Sequence, residues 1–385
     1  MEHEEHRLLP VDMTRVTPSV LRVLPGATAA GRRGFGLAFA VFFYAYGVTM
    51  AIRGGALAGL WTAGGAAGRW DVAGIAAGWL LLYGGSVIPQ LVRRWGARDT
   101  AGGRLARRYR ASATAVAGFW VFLMLVCTAI LAPVLVVTDP TAQESPVVTR
   151  YQAPSAAHPM GTDKFGRDVY SRVLYGARTS LSISVISVLL AVMLGLLVGV
   201  FSGYVGGRVD DVVMRIVDGL LSFPRLLFVL TLVALFSNSY LLLVFVIAAT
   251  GWMGAARLVR GEILRVKKRE FVQAAMATGM GGLRLVLRHL LPNAAGPVIV
   301  AATLNVGGVI LLESYLSFLG LGIQPPQPSW GAMVYEGREM LLEAWWVSAF
   351  PAALIVVAVV ASNLMGDGLR DAMDVRGNRA SAQNA

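Results

Sequence analysis

Leu181-Ser-Ile-Ser-Val-Ile-Ser-Val-Leu-Leu-Ala-Val-Met-Leu-Gly-Leu-Leu-Val-Gly-Val-Phe201 runs for 21 residues without one charged side chain. About 18 to 20 apolar residues in a helix cross roughly 30 Å of hydrocarbon, so this stretch alone is long enough to span a bilayer. Seven further runs of the same character flank it, at about 35–52, 72–92, 113–137, 216–236, 241–253, 298–321 and 346–365. Their apolar residues are continuous, without the period-two alternation over about ten residues that an outer-membrane barrel strand requires. A helix satisfies its own backbone in lipid, so the spacing predicts an all-α polytopic membrane protein. The 241–253 run is short, and Pro224 is expected to kink the start of the 216–236 span. Composition agrees: of 385 residues 56% are hydrophobic and 15% charged, with a mean hydropathy of +0.62, which does not fit a soluble domain.

The formal net charge of +12 would suggest nucleic acid in a soluble chain, but here the arginines sit between apolar runs and read as topology. Arg93, Arg94, Arg98, Arg104, Arg107, Arg108 and Arg110 face only Asp99 in one connection, and eight basic residues face Glu262 and Glu270 in another. Both connections, 93–111 and 257–296, are expected to be cytoplasmic, and an even number of spans then places both termini inside. The first 34 residues are polar and show no signal-peptide pattern. The 138–176 segment balances its charges, and the last outer loop carries Glu336, Glu339 and Glu343, so both face outward.

Several chemistries are disfavoured. The only lysines are Lys164, Lys267 and Lys268, none following a glycine, so no phosphate-cradling P-loop is present. The four histidines and the single Cys127 have no metal-ligand spacing. Within the spans Glu313 stands out as the one clearly intramembrane charge, a candidate for the translocation path or, by default, for hydrogen bonding between helices.

The 257–296 connection has internal order. A helical stretch over 259–278 is interrupted by Gly279, Gly281 and Gly282 and resumes over 283–291 until Pro292 is expected to stop it. Leu283, Val286, Leu287 and Leu290 fall at helical spacing, with Arg284 and Arg288 on another face. Such a knob, with small Ala274, Ala275 and Ala277 ahead of a glycine break, fits a partner's groove at close backbone distance. A basic amphipathic pair lying on anionic lipid has the same periodicity, and periodicity alone leaves both readings open.

Phe271-Val-Gln-Ala-Ala-Met-Ala-Thr-Gly279, followed by His289-Leu-Leu-Pro292-Asn293, resembles the EAA loop of permease subunits of bacterial ABC importers. It departs at Gln273, where the family pattern has Glu. Two further stretches are similar to the C-type permeases of dipeptide and oligopeptide importers. One is His158-Pro-Met-Gly-Thr-Asp-Lys-Phe-Gly-Arg-Asp-Val-Tyr-Ser-Arg-Val-Leu-Tyr-Gly-Ala-Arg-Thr-Ser-Leu181, and the other is Glu313-Ser-Tyr-Leu-Ser-Phe-Leu-Gly-Leu-Gly322 with Pro325-Pro and Pro328-Ser-Trp330-Gly after it. The resemblance covers about 104–373.

That resemblance implies a type I ABC importer permease core of six helices, here with two additional N-terminal transmembrane helices. The implied organisation is a cytoplasmic tail 1–34, a two-span extension and basic linker 35–111, a first core helix 112–137, an external segment 138–178, the remaining core 179–370 and a cytoplasmic tail 371–385. It implies a non-catalytic subunit that passes peptides across the bacterial cytoplasmic membrane beside a homologous permease. Two ATPase subunits would bind ATP and Mg, and an extracytoplasmic substrate-binding protein would deliver the ligand. Gln273, Ala274, Ala275, Gly279, Leu283 and Pro292 would couple to the ATPases, and Gly161, Asp163, Gly166, Arg167 and Asp168 are candidates for docking the binding protein. Nickel chelates or another small solute are the alternative cargo; a secondary carrier and a membrane scaffold are disfavoured by the loop's spacing.

Overall fold

The structure, a computed structural model, describes residues 101–374 except 137, 144–148, 156, 237 and 238. The expected spans at 35–52 and 72–92, the 1–34 tail and residues 375–385 of the 371–385 tail lie outside those residues. Among the described residues, α1 (Ala101–Ala111), with Arg108 and Arg110 in its last turn, belongs to a first unit ending at Ala113. The helices that follow form a second unit: α2 (Ala113–Leu135), α3 (Val169–Val205), α4 (Gly207–Leu221), α5 (Arg225–Leu235), α6 (Tyr240–Lys267), α7 (Glu270–Ala277), α8 (Gly282–Phe318), α9 (Trp330–Gly337) and α10 (Trp346–Met373).

Five of these, α2, α3, α6, α8 and α10, are long and apolar enough to cross a membrane, and a sixth crossing results if α4 and α5 count as one broken span. The break corrects the expected single 216–236 span. Pro224 does more than kink it: α4 and α5 meet at 80° across Ser222, Phe223 and Pro224. Proline disfavours helical geometry in the residue before it and cannot donate to the preceding turn, so the chain changes direction there. α4 itself is amphipathic, with Asp210 and Asp218 pairing to Arg260 and Arg257 of α6.

The short 241–253 run is corrected too. It belongs to a 28-residue helix, α6, that begins at the Ser239 cap and ends at Lys267, so residues expected in the connection continue the helix. α6 packs along α3 at close range because α3 presents Gly195, Gly199 and Gly203 to it. A Cβ at Gly195 would lie 2.5 Å from Ala255 Cβ, and one at Gly199 2.5 Å from the Ala256 carbonyl oxygen. Small residues four apart let two helices approach backbone to backbone, gaining dispersion contact where lipid offers no hydrophobic drive. Leu181, Ile183, Val188, Leu243, Ile247, Ile310 and Trp330 fill one core between α3, α6, α8 and α9. A second core, of Val259, Ile263, Val266, Val272, Leu285 and Leu290, lies beneath α7.

Pro292 does not end its helix. A π turn over Val286–Leu290 precedes it, in which the Leu291 N–H reaches the Val286 carbonyl, and the helix continues to Phe318. The turn is already opened where proline lacks its donor, and the Asn293 side-chain amide donates to the His289 carbonyl at 2.7 Å. The π turn also corrects the expected apolar face. Leu285, Val286 and Leu290 are buried, whereas Leu283 and Leu287 are 71% and 55% exposed, because the wider turn rotates the seam away from a 3.6-residue period.

Candidate functional site

At one end of the bundle α7 and the start of α8 form a helical hairpin that packs on the second core through Val272, Leu285 and Leu290. The expected continuous 259–278 helix breaks at Arg269, whose backbone is extended, and Gln273 Nε2 donates to the freed Lys267 carbonyl at 2.9 Å. Lys267 Nζ in turn donates to the Tyr204 carbonyl at 2.8 Å, and the Tyr204 hydroxyl accepts the Gly282 N–H at 2.7 Å. The hairpin is thereby tied to the end of α3 on both sides of its turn.

The turn has a specific construction. Met280 N–H donates to the Ala275 carbonyl and Gly279 N–H to the Met276 carbonyl, the two bonds of a Schellman motif, with Gly279 at φ +82°. Ala275 and Met280 both pack against the second core. Gly279 is therefore required for its backbone, not for room within this chain, since a Cβ there would meet nothing within 4 Å. Phe271, Ala274, Leu283, Leu287 and Pro292 are exposed around that turn. The structure thus brings Gln273, Ala274, Ala275, Gly279 and Leu283 to one hairpin, and places Pro292 one helical segment further along, where α8 enters the bundle.

At the opposite end of α3, Gly161, Asp163, Gly166, Arg167 and Asp168 fold into a loop that caps the helix. Asp168 accepts the Ser171 N–H at 2.8 Å and faces His158 Nδ1 at 3.1 Å. Gly161 and Gly166 take positive φ, and a Cβ on Gly161 would lie 2.5 Å from Trp346 Nε1. The charges are spent internally: Asp163 accepts from Arg167 Nε at 2.7 Å and from Arg172, and Glu336 of α9 accepts from Arg167 Nη2 at 2.8 Å and Arg172 Nη1 at 2.7 Å. All four side chains are buried, so Asp163, Arg167 and Asp168 shape this segment from beneath and do not offer charge at its surface.

Glu313 is 0% exposed. Its carboxylate accepts from Ser180 Oγ at 3.0 Å and Ser317 Oγ at 2.8 Å, and Ser180 Oγ also accepts the Trp330 N–H at 3.2 Å. In this structure Glu313 joins α3, α8 and α9 by hydrogen bonds, the arrangement expected by default for a buried acid between helices.

Sequence reasoning missed two things. Arg172 and Glu336 were legible only as loop charges, because their partnership spans 164 residues. Glu313 is also not the one intramembrane charge: Arg225 begins α5 within the broken span. An arginine directly after proline inside an apolar run was the available signal.

A family model described as binding-protein-dependent transport system inner membrane component matches residues 195–377, and one described as the N-terminal TM domain of oligopeptide transport permease C matches residues 101–154. The dipeptide transport system permease protein DppC of Bacillus subtilis (strain 168) is 40% identical over 269 residues, covering 70% of this chain and 83% of that protein. The oligopeptide transport system permease protein OppC of Escherichia coli (strain K12) is 43% identical over 268 residues, 70% of this chain and 89% of that protein. The probable D,D-dipeptide transport system permease protein DdpC of the same strain is 39% identical over 273 residues, 71% of this chain and 91% of that protein. Helices long and apolar enough to cross a membrane, a tethered hairpin with an exposed turn, and likeness over most of the length of these relatives lead to one assignment: the chain belongs to the family of binding-protein-dependent transport system inner membrane components.

Proposed function

We propose that this chain is one of two homologous permease subunits of an ATP-driven peptide importer, with α7 and its Schellman turn as the ATPase-coupling element. The observation that carries the reading is the hairpin at Gly279: it is tied to α3 and α6, yet the space beside Gly279 is open and Phe271, Leu283 and Leu287 remain exposed around it. An exposed apolar knob beside small residues fits a groove on a partner. Gln273 supports the base of the knob, Ala274 and Gly279 allow close approach, and Leu283 supplies an apolar contact; Pro292 marks the join to α8, through which movement of the knob reaches the bundle.

ATP and Mg act on two partner ATPases, and closure of those chains moves the docked hairpins and switches the path between inward and outward opening. Peptide as cargo follows the dipeptide and oligopeptide permeases that the chain resembles. A substrate-binding protein delivers it at the end of α3 that carries the 158–168 loop, whose surface is held in shape by the buried Asp163, Arg167 and Asp168. The hairpin end, with Arg265, Lys267, Lys268 and Arg269, is cytoplasmic, and both termini lie on that side.

The test is reconstitution of the complex in liposomes. Two ATPases and a homologous permease should copurify, and a tripeptide with its binding protein should stimulate ATP hydrolysis and enter the lumen. Stimulation by a nickel chelate and not by any peptide would overturn the cargo, and purification without ATPases would overturn the function. In a Cys127→Ala background, Arg265→Cys should resist an impermeant maleimide applied outside intact cells; labelling there would reverse the orientation.

A further inference from the structure

Once the ion pairs are counted, Arg225 is left over. Of the three acids of α4, Asp210 is engaged by Arg260 and Asp218 by Arg257, and no acidic side chain among the described residues, Asp211 included, pairs with Arg225. Among the described residues the one polar contact of its side chain is the Ile247 carbonyl, 3.5 Å from Nη2, the outer limit of a hydrogen bond. The guanidinium reaches across to α6 and α3 at Gly251, where a Cβ would come within 3.2 Å of Nη2 and 3.1 Å of Ala191 Cβ. The residue is nonetheless exposed on the surface of the chain, between exposed Phe223, Leu226 and Leu227.

Its depth follows from α6. Arg257 and Arg260 mark the charged rim of that helix, and Gly251 and Ile247 precede Arg257 by six and ten residues, about 9–15 Å at 1.5 Å per residue. That is roughly a third to a half of the hydrocarbon thickness. An arginine is charged at any physiological pH, and at that depth it is costly against lipid, so it belongs to a wet cavity or a partner. The first turn of the 11-residue α5 points the same way: Pro224 precedes it, no side chain caps it, and its leading N–H groups have no carbonyl partner within the helix. A fork of N–H donors beside an uncapped helix start matches a carboxylate in charge and in geometry.

We propose that Arg225, with the start of α5, forms an anion subsite on the translocation path that takes the C-terminal carboxylate of a peptide in transit. This rests on the peptide-import reading. A single guanidinium with no acidic partner holds the anion without trapping it, as a path residue must.

The test uses the reconstituted complex in a Cys127→Ala background with Ala-Ala-Ala as cargo, comparing Arg225→Cys with its parent. Arg225→Cys should retain the homologous permease and the ATPases, and import the tripeptide about ten-fold more slowly, the scale of one lost charge-assisted hydrogen bond. Aminoethyl methanethiosulfonate from the aqueous phase, which places an ammonium on that thiol, should restore most of the rate, and methyl methanethiosulfonate should not. Uptake within two-fold of the parent, failure of the ammonium adduct to rescue, or equal rescue by the neutral adduct overturns the subsite. Loss of the homologous permease on purification also overturns it, and assigns Arg225 to an acidic residue of that chain. A parent that hydrolyses ATP yet imports no tripeptide overturns the peptide reading, and this inference with it; it is told apart because the Arg225→Cys complex then has no uptake to lose.

Discussion

Replacing Glu336 by alanine should be among the most damaging single changes outside the cores. Glu336 and Asp163 together balance two guanidinium groups, Arg167 and Arg172, all four side chains being buried. Glu336 accepts from Arg167 Nη2 at 2.8 Å and from Arg172 Nη1 and Nη2 at 2.7 and 3.2 Å. Its removal leaves one buried positive charge uncompensated and three donors without their acceptor. Breaking a buried pair in this way costs about 3–5 kcal/mol. With roughly 2–4 °C per kcal/mol for a chain of this size, the thermal midpoint of the purified complex in nanodiscs should fall by about 10 °C. Because Glu336 lies on α9, amide exchange should accelerate first in α9 and the 158–168 loop. The charge argument makes a sharper demand: Glu336→Leu combined with Arg172→Met leaves only the neutral Asp163–Arg167 pair, so the double variant should be more stable than Glu336→Ala. A midpoint for Glu336→Ala within about 3 °C of the parent, or a double variant that simply adds two losses, would refute the reasoning.

At Gly279, asparagine tolerates the positive φ while adding volume, so Gly279→Asn should leave the hairpin folded yet reduce ATPase retention, and Gly279→Val should fail in both; normal coupling in Gly279→Val would sink the assignment of the site. Gly199→Leu should prevent stable packing of α3 on α6, costing more than about 3 kcal/mol, whereas Gly254→Ala, whose Cβ would meet nothing within 4 Å, should be neutral or slightly stabilising by protease resistance. Deleting residues 1–92, which precede the family-like region, should leave measurable transport; a complex that assembles normally and imports nothing would assign the extension a gating role.

The sequence by itself determined that this is a helical membrane protein. Uncharged runs such as Leu181 to Phe201 have one stable form in hydrocarbon, because only a helix satisfies a lone segment's backbone there. It also determined that something happens at Gly279: a glycine following small residues at a helix end is a local signal, and the Schellman bonds that use it are local too. What only the tertiary structure decided is whatever depends on a neighbouring helix. The buried face around Leu285, Val286 and Leu290 follows from a π turn that a 3.6-residue period does not anticipate. The 80° bend after α4 shows how far a proline can redirect a chain once neighbours hold both arms. The pairing of Arg172 with Glu336, the enclosure of Glu313 and the solitude of Arg225 all depend on which side chains α3, α6, α8 and α9 bring within a few ångströms. Hydrophobic periodicity specifies which segments leave water, but lipid and protein interiors are equally apolar, so the pattern carries no instruction about which helix faces which; close approach at small residues and complementary polar groups makes that choice.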